Sequence, residues 1–379
     1  MHIPLARPSD DHAGLHGEIE RAVAEVLASG IWINGPRTVE FASAFAAWCG
    51  VRHCILTGNG TDALELALRA AGVGPGDEVI TAANAGGYTT TACNLVGATP
   101  VWVDVLPETL GIDPDAVAAA LTPRTKVIVA THLYGILCDV EGLRASLSAA
   151  GRGDVVVLED CAQAHGAMHD GKRAGSFGDL AAFSFYPTKN LGAAGDAGAV
   201  VTNDDRLAER LAQLRQYGFA QRYNSTLPYG RNSRTDEIQA AILSLKLPHV
   251  DGWNARRRRV LARYHEALGS RYPVVGAREA SNVAHLAVIR TPHRDTLLAF
   301  LASKGIAAAI HFPTLDCDQV SQRGLPGRRM HLKESERARG EIISLPCFPG
   351  LTDREIDSVL DAIGEFGRTI AGGNAASGQ

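Results

Sequence analysis

No apolar run in this 379-residue sequence is long enough to span a bilayer. The opening segment "MHIPLARPSDDHAG" also lacks the apolar core of a secretion signal. Cysteine is sparse and unpaired. The seven (Cys49, Cys54, Cys93, Cys138, Cys161, Cys317, Cys347) are odd in number and scattered, with no Cys-x-x-Cys pair. A disulfide framework and a structural zinc site are therefore not expected, and these residues read as small apolar side chains. A basic excess is missing too: the formal net charge is -4. The one dense cationic run, Arg256–Arg259, lies in a helical pattern and reads as a solvated helix face. Internal repeats are absent. Together these absences point to a cytoplasmic protein, with no bound metal and neither nucleic acid nor membrane as partner.

What is present is apolar content, 46% of residues, in a chain long enough for two domains. From about residue 50, short runs rich in Val and Ile alternate with helical patterns. "HCILTG", "DEVITAAN", "TPVWVDV", "TKVIVATHLYG" and "DVVVLEDCAQ" read as strands, with helices such as "TDALELALRAAG" between them. Continuous apolar strands imply a parallel sheet covered on both faces, hence an α/β fold with right-handed crossovers. After Arg234 the pattern becomes helical, with Pro248 as a break, and then turns to a smaller α+β region. The expected organisation is a large domain over 1–245 including an N-terminal arm, a small domain over 246–370, and a disordered Gly/Ala/Ser tail over 371–379.

Three segments carry chemistry. In "LTGNGTDALELAL" a strand runs through glycines into a helix. Its free amides at Gly60 and Thr61, with the Thr61 hydroxyl, suit a phosphate, although Thr61 or Asp62 would equally serve as an N-cap. In "VVVLEDCAQAHGA" Asp160 closes an apolar strand, where ligands of open α/β sheets bind. A carboxylate there needs a cation or donors. A protonated pyridine nitrogen would serve, with Gln163 donating to a phenolate oxygen of the same ring; a turn-capping role for Asp160 stands beside that reading. In "AAFSFYPTKNLGAAGDAGAVVTND" Lys189 lies in a glycine-rich loop. It reads either as a solvated charge or as an amine that forms a Schiff base with an aldehyde, and Ser184 is placed to bond a phosphate.

In this order the segments resemble the nucleotide-sugar aminotransferases, enzymes of fold-type I dependent on pyridoxal 5′-phosphate (PLP). "NGPRTVEFASAFA", "GRNSRTDEIQAAIL" and "IHFP" extend the likeness over nearly the whole chain. The resemblance implies a large domain built on a mostly parallel seven-stranded sheet, plus the small C-terminal domain. It implies that Lys189 bonds the cofactor and moves the proton, and that Asp160 keeps the pyridine nitrogen protonated. Gln163 would lie near the ring 3-oxygen, and Gly60, Thr61 and Ser184 would hold the phosphate. Asn232 would reach the phosphate of the neighbouring subunit, which implies a homodimer with shared active sites, and His311 would lie near the substrate. One segment departs from the family. Where an aromatic residue usually stacks on the ring, this chain has "NAGGYTTT", with Gly86 at that position and Tyr88 two residues later. Either Tyr88 stacks on the ring from a locally altered turn, or that ring face is open and something else covers it. The expected reaction moves an amino group from glutamate or glutamine to a nucleotide-linked keto-deoxyhexose, dTDP-linked and aminated at the 3-position. A keto-cyclitol acceptor is the alternative, and a non-catalytic protein of the same fold is a third reading that the intact Lys189 and Asp160 oppose.

Overall fold

A computed structural model describes residues 2–9, 14–276 and 279–376. Its centre is a sheet whose strands are β1 (His53–Thr57), β2 (Glu78–Ala82), β3 (Thr99–Val103), β4 (Thr125–Thr131), β5 (Val156–Asp160), β6 (Leu180–Ser184) and β7 (Gly198–Thr202). Further along the chain come β8 (Ala287–Arg290), β9 (Arg328–Arg329) and β10 (Ile342–Leu345). The large sheet has the order β1-β7-β6-β5-β4-β2-β3-β9, so the expected seven strands are joined by an eighth. Only β7 runs antiparallel to its neighbours. The eighth strand comes from the C-terminal part, where Arg328 and Arg329 pair with Val101 and Trp102. A strand of two adjacent arginines carries no period-2 signal, which is why the sequence did not announce it.

Successive side chains of a strand point to opposite faces, and both faces here are dry. Val127 and Val129 of β4 pack on one side with Leu66 and Leu68 of α3 (Gly60–Ala70), Val96 of α4 (Tyr88–Val96) and Leu211. Ile128 and Ala130 pack on the other with Val117, Leu143 and Leu147. Fully burying one such aliphatic side chain contributes about 1.5–3 kcal/mol, so the sheet is the stable platform of the molecule. Because the parallel strands share a direction, the residues that follow β1, β2, β4, β5 and β6 all emerge along one edge.

The C-terminal part pairs β8 antiparallel with β10. Its core gathers Leu261 and Tyr264, Leu297 and Leu301, Ile343 and Leu345, and Ile356 and Val359. Ile3 joins this core, donating to Gly305 and accepting from Ala307, both at 2.9 Å. The N-terminal arm thus packs on the C-terminal part of the chain. Pro248 falls in a short 3-10 turn between helices Glu237–Lys246 and Val250–Leu268, as the break predicted. The final helix, Asp353–Ala376, continues through most of the segment read as a disordered tail, while 377–379 lie outside the described residues. The run Arg256–Arg259 is not wholly a solvated face. Arg257 is buried and donates to the Cys347 carbonyl at 2.7 Å, because its turn of the helix faces the domain core.

Candidate active site

A cavity of about 630 Å³ opens at the carboxyl edge of the sheet, lined by Gly60, Thr61, Tyr88, Asp160, Ser184 and Lys189, with Asn59, Asp62, Tyr186, Asp196 and Arg231 among the others. Six residues proposed from the sequence therefore meet in one place. They come from different strand ends, which the parallel topology brings together.

Helix α3 begins at Gly60, and its cap is Asn59, whose side chain accepts from the Asp62 amide at 2.8 Å. Neither Thr61 nor Asp62 is the cap. The Asp62 carboxylate is instead engaged by the Ser233 hydroxyl at 2.6 Å and by Arg231 at 3.0 Å. The helix thus presents the Gly60–Thr61 turn to the cavity with Asp62 neutralised behind it, an arrangement suited to an anion. Gly60 is required by close approach: a Cβ there would lie 2.6 Å from the Ser184 Cβ. Its bare backbone lets the helix terminus meet the end of β6, so amides and the Ser184 hydroxyl converge.

Asp160 is buried at the end of β5. Burial raises its pKa, and the Ala162 amide, the Lys189 charge and the Thr131 hydroxyl oppose that rise. The Ala162 amide donates to its Oδ1 at 3.1 Å. Among the described residues no cation lies within ion-pair distance of this carboxylate, so the site has room for one from a ligand. Burial lowers the pKa of Lys189, and the Asp160 charge raises it in part. A neutral amine is therefore more accessible at Lys189 than at a surface lysine.

Gln163 and His311 are not among the residues that line the cavity; the two are linked to each other through one residue. The Tyr134 amide donates to Gln163 Oε1 at 2.6 Å, and the Tyr134 hydroxyl donates to the His311 carbonyl at 2.5 Å. Burial first, and the Lys189 charge second, depress the pKa of His311. Asn232 is exposed and does not line the cavity of its own chain. Sequence reasoning missed Tyr134, Tyr186 and Asp196. Tyr186 and Asp196 lie in the Lys189 segment itself, but the order of residues does not say that they line the cavity. Lys246 is fully buried, donating to the Gly192 carbonyl at 2.5 Å.

A separate buried group, His132, Glu159 and Cys161, has its ligand atoms within 4.8 Å of one another. Its capacity is already used. Glu159 accepts from the amides of Gly175, Phe177 and Gly178, and its Oε2 lies 2.8 Å from His132 Nε2. His132 Nδ1 accepts from the Cys138 amide at 3.0 Å. With both imidazole nitrogens engaged, this group is a structural tie between strand ends.

The cavity fits PLP by its donor set. Lys189 suits an aldehyde, the buried Asp160 carboxylate suits a protonated pyridine nitrogen, and the Gly60–Thr61 turn with Ser184 suits a phosphate. Comparison with known proteins agrees. The DegT/DnrJ/EryC1/StrS aminotransferase family matches residues 14–364. The chain is 43% identical to a protein of Geobacillus stearothermophilus named "Pleiotropic regulatory protein", covering 98% of this chain and all of the relative. It is 41% identical to dTDP-3-amino-3,4,6-trideoxy-alpha-D-glucose transaminase of Streptomyces venezuelae, covering 97% of each. Among solved structures it is similar to S. venezuelae DesV in complex with a ketimine intermediate, with a TM-score of 0.90 and 39% identity, covering 96% of this chain and 98% of that one. The chain belongs to the DegT/DnrJ/EryC1/StrS aminotransferase family and is a PLP-dependent aminotransferase.

Proposed function

We propose that this enzyme transfers an amino group from glutamate or glutamine to a keto-deoxyhexose carried on a nucleoside diphosphate, in amino-sugar or antibiotic biosynthesis. Of the nucleotides we favour dTDP, and of the positions the 3-keto group. The observation that carries this reading is full-length likeness to a dTDP-3-amino-sugar transaminase, joined to a cavity that holds Lys189, Asp160 and the phosphate turn together. A keto-cyclitol acceptor is the second reading, because the charge near the mouth is largely engaged: Arg231 already pairs with Asp62 and Glu65.

PLP, when bound, supplies an electron sink for the bond-breaking at the carbon next to nitrogen. The chain's own groups do the rest. Lys189 Nζ would be the group that bonds the cofactor aldehyde and, as a free amine, would take or return the proton at the carbon that bears the transferred nitrogen. Its lowered pKa keeps a basic amine available near neutral pH. Asp160 holds the proton on the pyridine nitrogen, and Gln163 keeps an amide N–H₂ to donate because its oxygen is occupied by Tyr134. Gly60, Thr61 and Ser184 fix the phosphate, and Tyr88 and Tyr186 wall the outer side.

We further assign shared active sites in a homodimer, with Asn232 serving the partner's phosphate. Asn232 bridges to Gln216, and Gln216 and Arg215 are tied to Asn34 at 3.3 and 3.1 Å. That turn exposes Ile31, Trp32 and Ile33, with Tyr217 and Tyr229 near by in the chain, an apolar surface suited to a second copy.

The test is a half-reaction assay. The pyridoxamine form is mixed with dTDP- and UDP-linked 3-keto and 4-keto sugars and with keto-cyclitols, and return of the visible cofactor band is followed. Turnover with a dTDP-3-keto sugar, and loss of the band in Lys189→Ala, are expected. Turnover of a cyclitol alone would reverse the choice of acceptor. Absence of a Lys189-dependent band would remove the proposed role of Lys189.

A further inference from the structure

The turn after β2 is held from the far domain. The Asp316 carboxylate, fully buried, accepts from the Gly87 amide at 2.8 Å and from the Thr90 hydroxyl at 3.1 Å, and the Asp316 amide donates to the Ala83 carbonyl at 2.8 Å. Trp102 Nε1 donates to the same Thr90 oxygen at 2.9 Å. Four residues before Asp316, the ring of Phe312 lies directly over Gly86. A Cβ on Gly86 would sit 2.5 Å from Phe312 Cε2 and 2.8 Å from Cζ, and Gly86 has φ +85°. No side chain fits there while the ring is present.

The Phe312 segment is secured at its other end as well. The Tyr134 hydroxyl holds the His311 carbonyl, and His311 Nδ1 lies 2.9 Å from the Ser344 hydroxyl. Between these two anchors the Phe312 ring meets the ring of Tyr88 edge-on, with centroids 6.2 Å apart. Tyr88 lines the cavity that contains Lys189 and Asp160, and it is half exposed there. The turn itself therefore contributes no side chain at its glycines, and an aromatic ring from the C-terminal domain takes that space.

We propose that Phe312 is a positioning residue for the cofactor cavity: admitted by Gly86 and held in register by Asp316 and Tyr134, it closes the wall beside the turn and fixes Tyr88 against the bound cofactor. This rests on the cofactor occupying the cavity and does not depend on which acceptor is used. Edge-on aromatic contacts have a defined geometry, and a reacting group displaced by about 1 Å loses on the order of a hundredfold in rate. The wall also ties the cofactor site to the C-terminal domain, so that domain's placement bears on the reaction.

The experiment uses the PLP-loaded enzyme with Phe312→Ala, Phe312→Leu, Gly86→Ala, and Gly86→Ala combined with Phe312→Ala. Visible circular dichroism of the bound cofactor and the PLP dissociation constant are read first, since neither needs an acceptor. The rate of the donor half-reaction is read second. Phe312→Leu keeps apolar volume and controls for folding. Expected are a changed dichroic band and about fivefold weaker PLP binding or slower donor turnover in each single variant. The double variant is expected to be no worse than Gly86→Ala, because both substitutions act through one ring. An unchanged band and affinity in both Phe312 variants would overturn the proposal. So would independent, multiplying effects of the Gly86 and Phe312 substitutions. Failure of the nucleotide-sugar assignment would leave these readouts untouched, so the two outcomes are distinguishable.

Discussion

Asp316→Asn is the sharpest probe of how the turn after β2 is held by the C-terminal part of the chain. Burial, set against bonds from Gly87 and Thr90, pushes the pKa of Asp316 up from 3.8 to about 7. The folded state therefore holds this proton more tightly than the unfolded chain does. Stability from this group is fully present below pH 3.8 and is lost progressively as pH rises to about 7. At 1.36 kcal/mol per unit, a shift of roughly three units corresponds to about 4 kcal/mol, of which about 2 kcal/mol falls between pH 5 and pH 7. Asparagine removes the titration, keeps an oxygen for the Gly87 amide, and leaves the Thr90 hydroxyl less well satisfied, at a cost of about 1 kcal/mol. The variant is thus expected to be slightly less stable than wild type at pH 5 and clearly more stable at pH 8. Urea unfolding of both proteins at matched cofactor occupancy, from pH 5 to pH 8, reads the difference directly. A stability difference that stays flat across that range would refute a buried, titrating Asp316.

Two further outcomes follow from the same reasoning. Asp160→Asn is expected to slow transamination by about 100-fold, because it removes the buried charge proposed to keep the pyridine nitrogen protonated. Its cofactor-free form should gain stability relative to wild type as pH rises above the ordinary aspartate range, since burial raises the Asp160 pKa; equal activity at saturating PLP would refute the role. Gly60→Ala places a methyl 2.6 Å from the Ser184 Cβ, forcing α3 away from β6. We expect a stability loss of about 1–3 kcal/mol and weaker binding of PLP than of pyridoxal, measured by equilibrium dialysis. An unchanged preference for the phosphorylated form would place the phosphate elsewhere.

The residues legible from the sequence share one property: each stands at the end of an apolar strand or in the turn after it. Asp160 closes β5, Ser184 closes β6, Gly60 and Thr61 follow β1, and Lys189 lies in the loop before β7. In a parallel sheet those positions must share an edge, so the run of Val and Ile that announces the strands also announces where the ligand side lies. Arg257 was not legible in this way. Four consecutive arginines read as a solvated face, yet helical geometry turns one of them inward, where carbonyls of two other segments accept from it. The cap of α3 was likewise not legible: Thr61 or Asp62 was read as the cap, and the structure gives that role to Asn59, because backbone geometry selects among residue types that all cap helices.

The sequence by itself determined the α/β sheet, the lysine and carboxylate at its edge, and the break at Pro248, because these depend on local periodicity and on residue chemistry. Only the tertiary structure decided what fills the space above Gly86. A glycine there reads as an open face, and the answer is a phenylalanine from the other domain, secured by Asp316 and Tyr134. The added sheet strand Arg328–Arg329 and the arm from Ile3 to the C-terminal core were settled the same way. Each is a contact between segments distant in the chain, and such contacts leave no periodic trace in the order of residues that make them.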